Sequence, residues 1–404
     1  MEQSKLKKPL RVAMIAPPWL CIPPFGYGGI ENVLDVLLPA LSKLNVEVEL
    51  FTIKKTKLKC CKQHWLYADE QYKYIHQPIY ESLPILLAHT MFALNHIKQK
   101  GNFDIIHDHN GFIGPFLASL KDNQLPPILH TVHGPPFSAS YQNDLSEGSN
   151  IPSNLPMWQE LAKSQPSSLG LVCISNLLNS KAPKNLQPFL LEPIHNGIDT
   201  SKFPYVNKKD DYFLTLARSN PDKGQAIAVK ICRELKLNLK LAGLVCDMTK
   251  LKSVLLELAN PLSKYRANPD FRYFSDQIFP YLNNKIKYIG DVGGAKKLTI
   301  LSKAKALLFP IQWDEPFGMA PIEALACGTP VVAMARGALP EIIEHGKNGF
   351  LAKNEAEFKK YMLRVGEINP KDCRKSVEAK FSAKVMAKKY LQNYKSLLNK
   401  QNIT

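Results

Sequence analysis

Two acids eight positions apart, Glu315 and Glu323, lie in the stretch from Phe309 to Gly328 that is best equipped for chemistry. Leu307-Leu308-Phe309 predicts the end of a buried strand, Pro316-Phe317-Gly318 breaks it, and Pro321 suits the first turn of a helix. That helix, Met319 to Cys327, stops at Gly328-Thr329-Pro330, and Val331 to Met334 re-enters a strand, completing a βαβ unit. The turn and first helical residues, Phe317, Gly318, Met319 and Ala320, offer backbone N–H groups and partial positive charge to a phosphate or to sugar oxygens. If loop and helix are extended as read, the two carboxylates stand roughly 10 Å or more apart. They are too distant for an acid pair and suit the two hydroxyl-rich ends of one ligand with a diphosphate between. In isolation Glu315 would be a solvated loop acid and Glu323 a helix-dipole acid; the surrounding turn favours the ligand reading.

Cations stand at a second strand end. Strand Tyr212 to Leu216 leads into Arg218 and Lys223, followed by Gly224 and a helix from Gln225. Paired planar donors from Arg218 and the compact charge of Lys223 match a departing diphosphate, ordinary surface charge being the alternative. After strand Ile286 to Val292, glycines at 290, 293 and 294 permit close backbone contact with a nucleotide base, and Gly290 is the first of them. Near the start, Gly28 and Gly29 let the backbone between the first strand and the helix Asn32 to Leu44 approach a ligand. A dinucleotide fingerprint would need a glycine where Glu31 stands. His133 ends the strand Pro127 to Val132, at the carboxyl edge where open α/β sheets bind ligands. Strand alternation puts His107 and His109 on one side, but no third ligand is evident nearby and no metal site is expected.

EPFGMAPIEALACGTPVVA resembles the E-x7-E region of family 4 retaining glycosyltransferases, and the resemblance spans nearly the whole chain, most strongly Asp211 to Leu351. YGGIE resembles the first loop of that family, TVHG its THxG-like loop beside the donor sugar, and the NGID turn at Asn196 to Asp199 the end of its N-terminal domain. Ala217 and Asp222 replace a glycine and a frequent glutamate without removing the cationic pair. The resemblance implies an α/β fold of the GT-B type: two Rossmann-like domains facing across a cleft, with a C-terminal helix crossing back to the N-terminal domain. The expected domains are an acceptor-binding domain at 1–202, a nucleotide-sugar-binding domain at 203–380, and the returning helix at 381–404. It implies a hexose transferred from a UDP- or GDP-sugar to a hydroxyl of a glycan, lipid or small molecule. The catalytic set would be Glu315, His133, Arg218 and Lys223; the donor site would add Gly28, Gly29, Gly290, Phe317, Gly318, Met319, Ala320 and Glu323, with no cofactor and no metal. A GT-B epimerase or phosphorylase, or a non-catalytic basic binding protein, are the alternatives, because fold alone does not specify reaction.

At 404 residues, 45% of them hydrophobic and 22% charged, the chain can bury two cores. Lys and Arg exceed Asp and Glu by 52 to 35, a formal charge of +17 that could attract nucleic acid, anionic lipid or a diphosphate and does not choose among them; the resemblance implies no nucleic-acid partner. The lysine-rich stretch Lys54 to Lys62 reads as a solvated loop, with an anionic acceptor surface as its functional alternative. Eight scattered cysteines without a C-x-x-C and no apolar run of membrane-spanning length predict reduced thiols in the cytoplasm, or a peripheral position at the inner face of the membrane. The polar segment Phe137 to Ser168 predicts a partly helical excursion.

Overall fold

Short aliphatic runs alternate with helical stretches along the chain, and a strand buried on both faces needs a helix on each side of its sheet. The computed structural model describes residues 8–401 except 26–27, 76–77, 112, 119–124, 135–136, 138–140, 143–149, 152–154 and 165–167. Much of the expected excursion at 137–168, and the Gly26-Tyr27 part of the first glycine loop, therefore lie outside the described residues. The chain divides into two compact units, Met1–Ala139 with Pro152–Gly197 and Ala383–Thr404, and Ser140–Ile151 with Ile198–Ser382.

In the first unit the order is β1 (Leu10–Ile15), α1 (Gly29–Ser42), β2 (Val46–Thr52), β3 (Lys62–Trp65), α2 (Ile79–Lys100), β4 (Ile105–Asp108), α3 (Ile113–Ala118) and β5 (Ile128–Val132). A short antiparallel pair, β6 (Tyr141–Gln142) and β7 (Asn150–Ile151), groups with the second unit. Then α4 (Leu155–Lys163), β8 (Leu169–Cys173) and α5 (Asn176–Ser180) return to the first. Its sheet has the order β3-β2-β1-β4-β5-β8, parallel throughout, with Val12 of the central strand between Val48 and Ile105. β3 was not anticipated: Lys-Gln-His-Trp carries no apolar run, and as an edge strand it is only partly covered.

The second unit repeats the plan. It runs β9 (Phe213–Leu216), α6 (Gln225–Glu234), β10 (Leu239–Ala242), α7 (Leu251–Ala259), α8 (Pro269–Gln277), β11 (Ile286–Tyr288), α9 (Gly294–Lys303), β12 (Ala306–Phe309), α10 (Met319–Ala326), β13 (Val331–Met334), α11 (Leu339–Ile342), β14 (Gly349–Ala352), α12 (Glu355–Arg364) and α13 (Pro370–Lys380). The sheet order is β11-β10-β9-β12-β13-β14, again all parallel. Strand order 3-2-1-4-5-6 is the doubly wound arrangement whose ligands sit outside the carboxyl ends of the strands.

The last helix, α14 (Ala383–Gln401), belongs to the first unit. Its Tyr390 and Tyr394 are fully buried there, and buried phenols need partners. Tyr390 Oη lies 3.0 Å from Thr131 Oγ1, and Tyr394 Oη 2.7 Å from His107 Nδ1. The units divide at Gly197/Ile198 and Ser382/Ala383, and inside the second unit Ile198 N donates to Phe381 O at 2.9 Å. Among the described residues no helix is long and apolar enough to cross a membrane.

Candidate active site

The loops leaving the carboxyl ends of β9 and β12 bring Lys223 to Glu315. Asn220 caps the turn after β9 by accepting from Lys223 N at 3.1 Å, and Gly224 follows at φ +65°. A Cβ there would stand 2.0 Å from Pro310 O, so only glycine lets the two loops close. Lys223 Nζ donates to Glu315 Oε2 at 2.6 Å, and Trp313 Nε1–H donates to the same oxygen at 3.1 Å. The ammonium also sits 4.7 Å from the Trp313 ring centroid, within cation–π range. Behind the acid, Ala338 N donates to Glu315 O at 2.9 Å, and a Cβ on Gly337 would collide with the Glu315 backbone at 2.3 Å. Glu315 is thus held from both sides.

Arg218 is exposed beside this pair, and among the described residues its guanidinium makes no hydrogen bond or ion pair. Its field reaches Asp222 and Asp270: burial raises both carboxyls, and Arg218 pulls each back down, joined at Asp222 by Lys223. A free planar cation at a strand's carboxyl end is available to an incoming phosphate.

Glu323 forms a separate pair. Lys297 Nζ, from the first turns of α9, donates to Glu323 Oε1 on α10 at 2.7 Å. The turn before α9 carries Gly290 at φ +76°, where a Cβ would meet Thr249 O at 2.9 Å. Gly318, at φ +115°, begins α10 and leaves the first helical N–H groups without a side-chain cap. Met319 and Ala320 are half-buried at that end. Phe317 is only 1% exposed, and its ring meets Phe381 edge-on with centroids 6.0 Å apart. Its side chain serves the core of the unit, so the expected donor contact would fall to its backbone.

At the corresponding end of the first unit the groups are histidines. His109 Nδ1 and His133 Nε2 are 2.8 Å apart. Both ring nitrogens of His107 are occupied, Nδ1 by Tyr394 and Nε2 by Thr131 Oγ1 at 2.8 Å, so the H-x-H pair has no free nitrogen on its first member. His130 Nδ1 lies 2.6 Å from Asp108 Oδ2. Burial, reinforced by neighbouring imidazoles, pushes His107, His109 and His133 down, His133 to about 3, so all three are neutral near pH 7. Gly28 precedes α1, where a Cβ would strike Pro24 at 2.8 Å, whereas Gly29 opens to free space. Glu31 in the first turn of α1 is buried, and that burial pushes its carboxyl up to about 7.

One trio among the described residues has metal-ligand spacing, Glu49, His64 and His96, with ligand atoms within 4.8 Å of one another. Its carboxylate already accepts from Lys100 at 2.8 and 3.0 Å, from Arg11 at 3.3 Å and pairs with His64 at 2.6 Å. Burial alone would raise Glu49, but the bonds from Lys100 and His64 outweigh it and hold it at about 2. A cation would have to displace Lys100.

Trp313 and Lys297 escaped the reading of the sequence, and Glu31 entered it only as the residue in the place of a fingerprint glycine. Trp313 stands two residues before Glu315 and its proximity was the available signal; Lys297 is 26 positions from Glu323, and only folding pairs them.

With that geometry in hand, comparison with known proteins is informative. A model of the glycosyl transferases group 1 matches residues 198–380, and one of glycosyltransferase family 4 matches residues 27–202. An uncharacterized glycosyltransferase of Methanocaldococcus jannaschii is 23% identical over 320 residues, 77% of this chain and 80% of that one. Among solved structures, the sucrose-phosphate synthase of Thermosynechococcus elongatus superposes with a TM-score of 0.70 at 19% identity, covering 96% of this chain and 99% of that one. An Anabaena protein in complex with UDP-glucose does so with a TM-score of 0.60 at 14% identity, covering 96% and 100%. At such identities the structures establish a shared two-domain GT-B fold. Together the two matching models run from residue 27 to residue 380, and the chain belongs to the group 1, family 4 glycosyltransferases.

Proposed function

We propose that this protein is a retaining glycosyltransferase that moves a hexose from a UDP- or GDP-sugar to a hydroxyl acceptor. The observation that carries the reading is the Lys223–Glu315 pair at 2.6 Å, braced by Trp313 beside the uncapped start of α10. An anionic diphosphate arriving there competes with Glu315 for Lys223. The lysine turns to phosphate, and the acid is released toward the sugar whose anomeric carbon becomes electron-poor as its bond to the leaving oxygen breaks. Arg218, Lys223 and the α10 N–H groups stabilise the departing diphosphate, each such donor supplying on the order of 3 kcal/mol in a preorganised site. Glu323 holds ribose hydroxyls and Gly290 admits the base. The sequence marks no further carboxylate as a nucleophile, so on this reading attack comes from the face the diphosphate leaves, and its oxygen takes the acceptor's proton.

His133, neutral and oriented by His109, serves the sugar as a hydrogen-bonding group, not as a charge. Gly28 and Gly29 let the backbone of the first loop come close to the donor, Gly29 with free space in front of it. The cations at the donor site make the reaction independent of metal, and the lysine stretch Lys54 to Lys62 turns toward an anionic acceptor surface. Eight free thiols support a cytoplasmic setting.

The test is a screen of UDP- and GDP-hexoses for donor hydrolysis, followed by proton NMR of the first sugar formed. An anomeric configuration equal to the donor's is expected. Inversion would overturn the retaining step; indifference to every UDP- and GDP-hexose would overturn the donor class.

A further inference from the structure

Strands β1, β2 and β3 run parallel in adjacent register, Ile15 beside Phe51 and Thr52 beside Trp65. The segments that follow them therefore leave the sheet at one end, its carboxyl end, and α2 starts back from that same end. Backbone hydrogen bonds tie these segments together: Lys57 N to Ile22 O at 3.1 Å, Lys54 N to Tyr67 O at 3.0 Å, and Gln71 N to Pro18 O at 3.1 Å. Three large apolar or aromatic side chains stand out from this rim, Phe25 at 91% exposure, Tyr80 at 89% and Ile79 at 61%. Four lysines on the loop after β2, Lys54, Lys55, Lys57 and Lys59, are exposed among them, against two exposed acids, Asp69 and Glu81.

A single exposed hydrophobe is ordinary. Protruding rings and aliphatic tips interleaved with lysines have the composition of a surface that enters the headgroup boundary of an anionic bilayer. Charge decides against a second copy as the occupant, because a two-fold contact would set lysines against lysines in a chain already at +17.

We propose that the carboxyl end of β1, β2 and β3 docks on an anionic membrane, with Phe25, Ile79 and Tyr80 entering the interface and Lys54, Lys55, Lys57 and Lys59 meeting the headgroups. Phe25 lies three residues before Gly28, so docking would bring Gly28 near the bilayer. The acceptor is then a hydroxyl of a membrane-embedded lipid, a clause that rests on the transferase reading; the docking itself does not.

The experiment is co-sedimentation of the full chain, without donor, with vesicles of phosphatidylcholine alone and of a two-to-one mixture with phosphatidylglycerol. Binding to the mixed vesicles is expected, weakened at least about tenfold when the four lysines become glutamine. Ile79→Ser with Tyr80→Ser should weaken the part that survives high salt, which screens only the charge contribution. Circular dichroism melts check that the variants fold. A measurement that needs no loss-of-binding variant is quenching of Trp65 emission by brominated phosphatidylcholine in the mixed vesicles, read against Trp65→Phe. Equal sedimentation with both vesicle types, unchanged binding by both variants, or absence of quenching overturns the docking surface. So does a rim that instead drives self-association or captures nucleic acid in competition with the vesicles. If docking holds while no sugar nucleotide is turned over, only the transferase reading and its lipid acceptor fall.

Discussion

The two units share one strand order and one all-parallel sheet, yet their carboxyl ends carry opposite chemistry. In the second unit the ends of β9 and β12 hold charges in half-buried pairs, Lys223 with Glu315, while Lys297 joins Glu323 between α9 and α10. In the first, the ends of β4 and β5 hold imidazoles kept neutral by burial. A repeated scaffold therefore positions two different sets of groups: on the proposed function, one would answer a charged diphosphate and the other hydroxyls that need direction and no charge. The topology supplies the place, and burial decides which protonation state can occupy it.

The comparison is broken most severely by removing a charge from the second unit. Lys223→Ala should lower turnover by about 10²–10³-fold, the loss of one preorganised donor to a developing anion, and leave Glu315 without its partner. Stopped assays of donor consumption measure it, and a variant within a factor of a few of the parent would remove Lys223 from the chemistry. Chelation belongs to the same contrast: on the proposed function activity should survive it, with Arg218 and Lys223 in the role a metal would take. Loss on chelator and recovery with magnesium would contradict that assignment.

Acid should break the first unit. His107, His109 and His133 have lowered folded-state values, so below about pH 6.5 the unfolded chain binds more protons than the native one and stability falls as pH falls. Melting temperature followed downward from neutral pH measures this. His133→Asn, which has no such proton to take up, should flatten the fall; an unaltered profile would mean that His133 is solvated and free to titrate.

A smaller effect has the opposite sign. Glu31 has a folded-state value raised to about 7 from 4.5, so its cost is absent at low pH and grows as pH rises between those values. Glu31→Gln should stabilise the protein by about 1–3 kcal/mol at alkaline pH and do little near pH 4.5. Urea melts at the two pH values decide it, and equal gains at both would tie the effect to packing and not to charge.

Much of this was legible in the residues. Strands such as Leu307-Leu308-Phe309 and Val331 to Met334 announce themselves because a parallel sheet is buried on both faces. The cap and glycine signals around α10 marked its start and stop to within a residue. β3 could not be seen, since Lys-Gln-His-Trp has no apolar run, and its pairing with β2, through the backbone and through His64 to Glu49, is a tertiary fact. Lys223 and Glu315 could each be named as candidates, but their pairing joins positions 92 apart, and the choice of partner is a tertiary fact. The same holds for His109 with His133 and for Tyr394 with His107. Phe317 shows the reverse case: a residue expected at the donor site can spend its side chain on the core.

The division of labour between the two acids is the centre of the account, and calorimetric titration with the sugar-free nucleoside diphosphate, run beside turnover of the intact donor, tests it most directly. Glu323→Gln should weaken nucleotide binding by about 1–3 kcal/mol, the cost of leaving ribose hydroxyls and Lys297 poorly partnered. Glu315→Gln should leave that affinity nearly unchanged while turnover collapses, the signature of an interaction made only as the glycosidic bond breaks. Unaltered nucleotide affinity in Glu323→Gln together with intact turnover in Glu315→Gln would contradict the assignment of both residues.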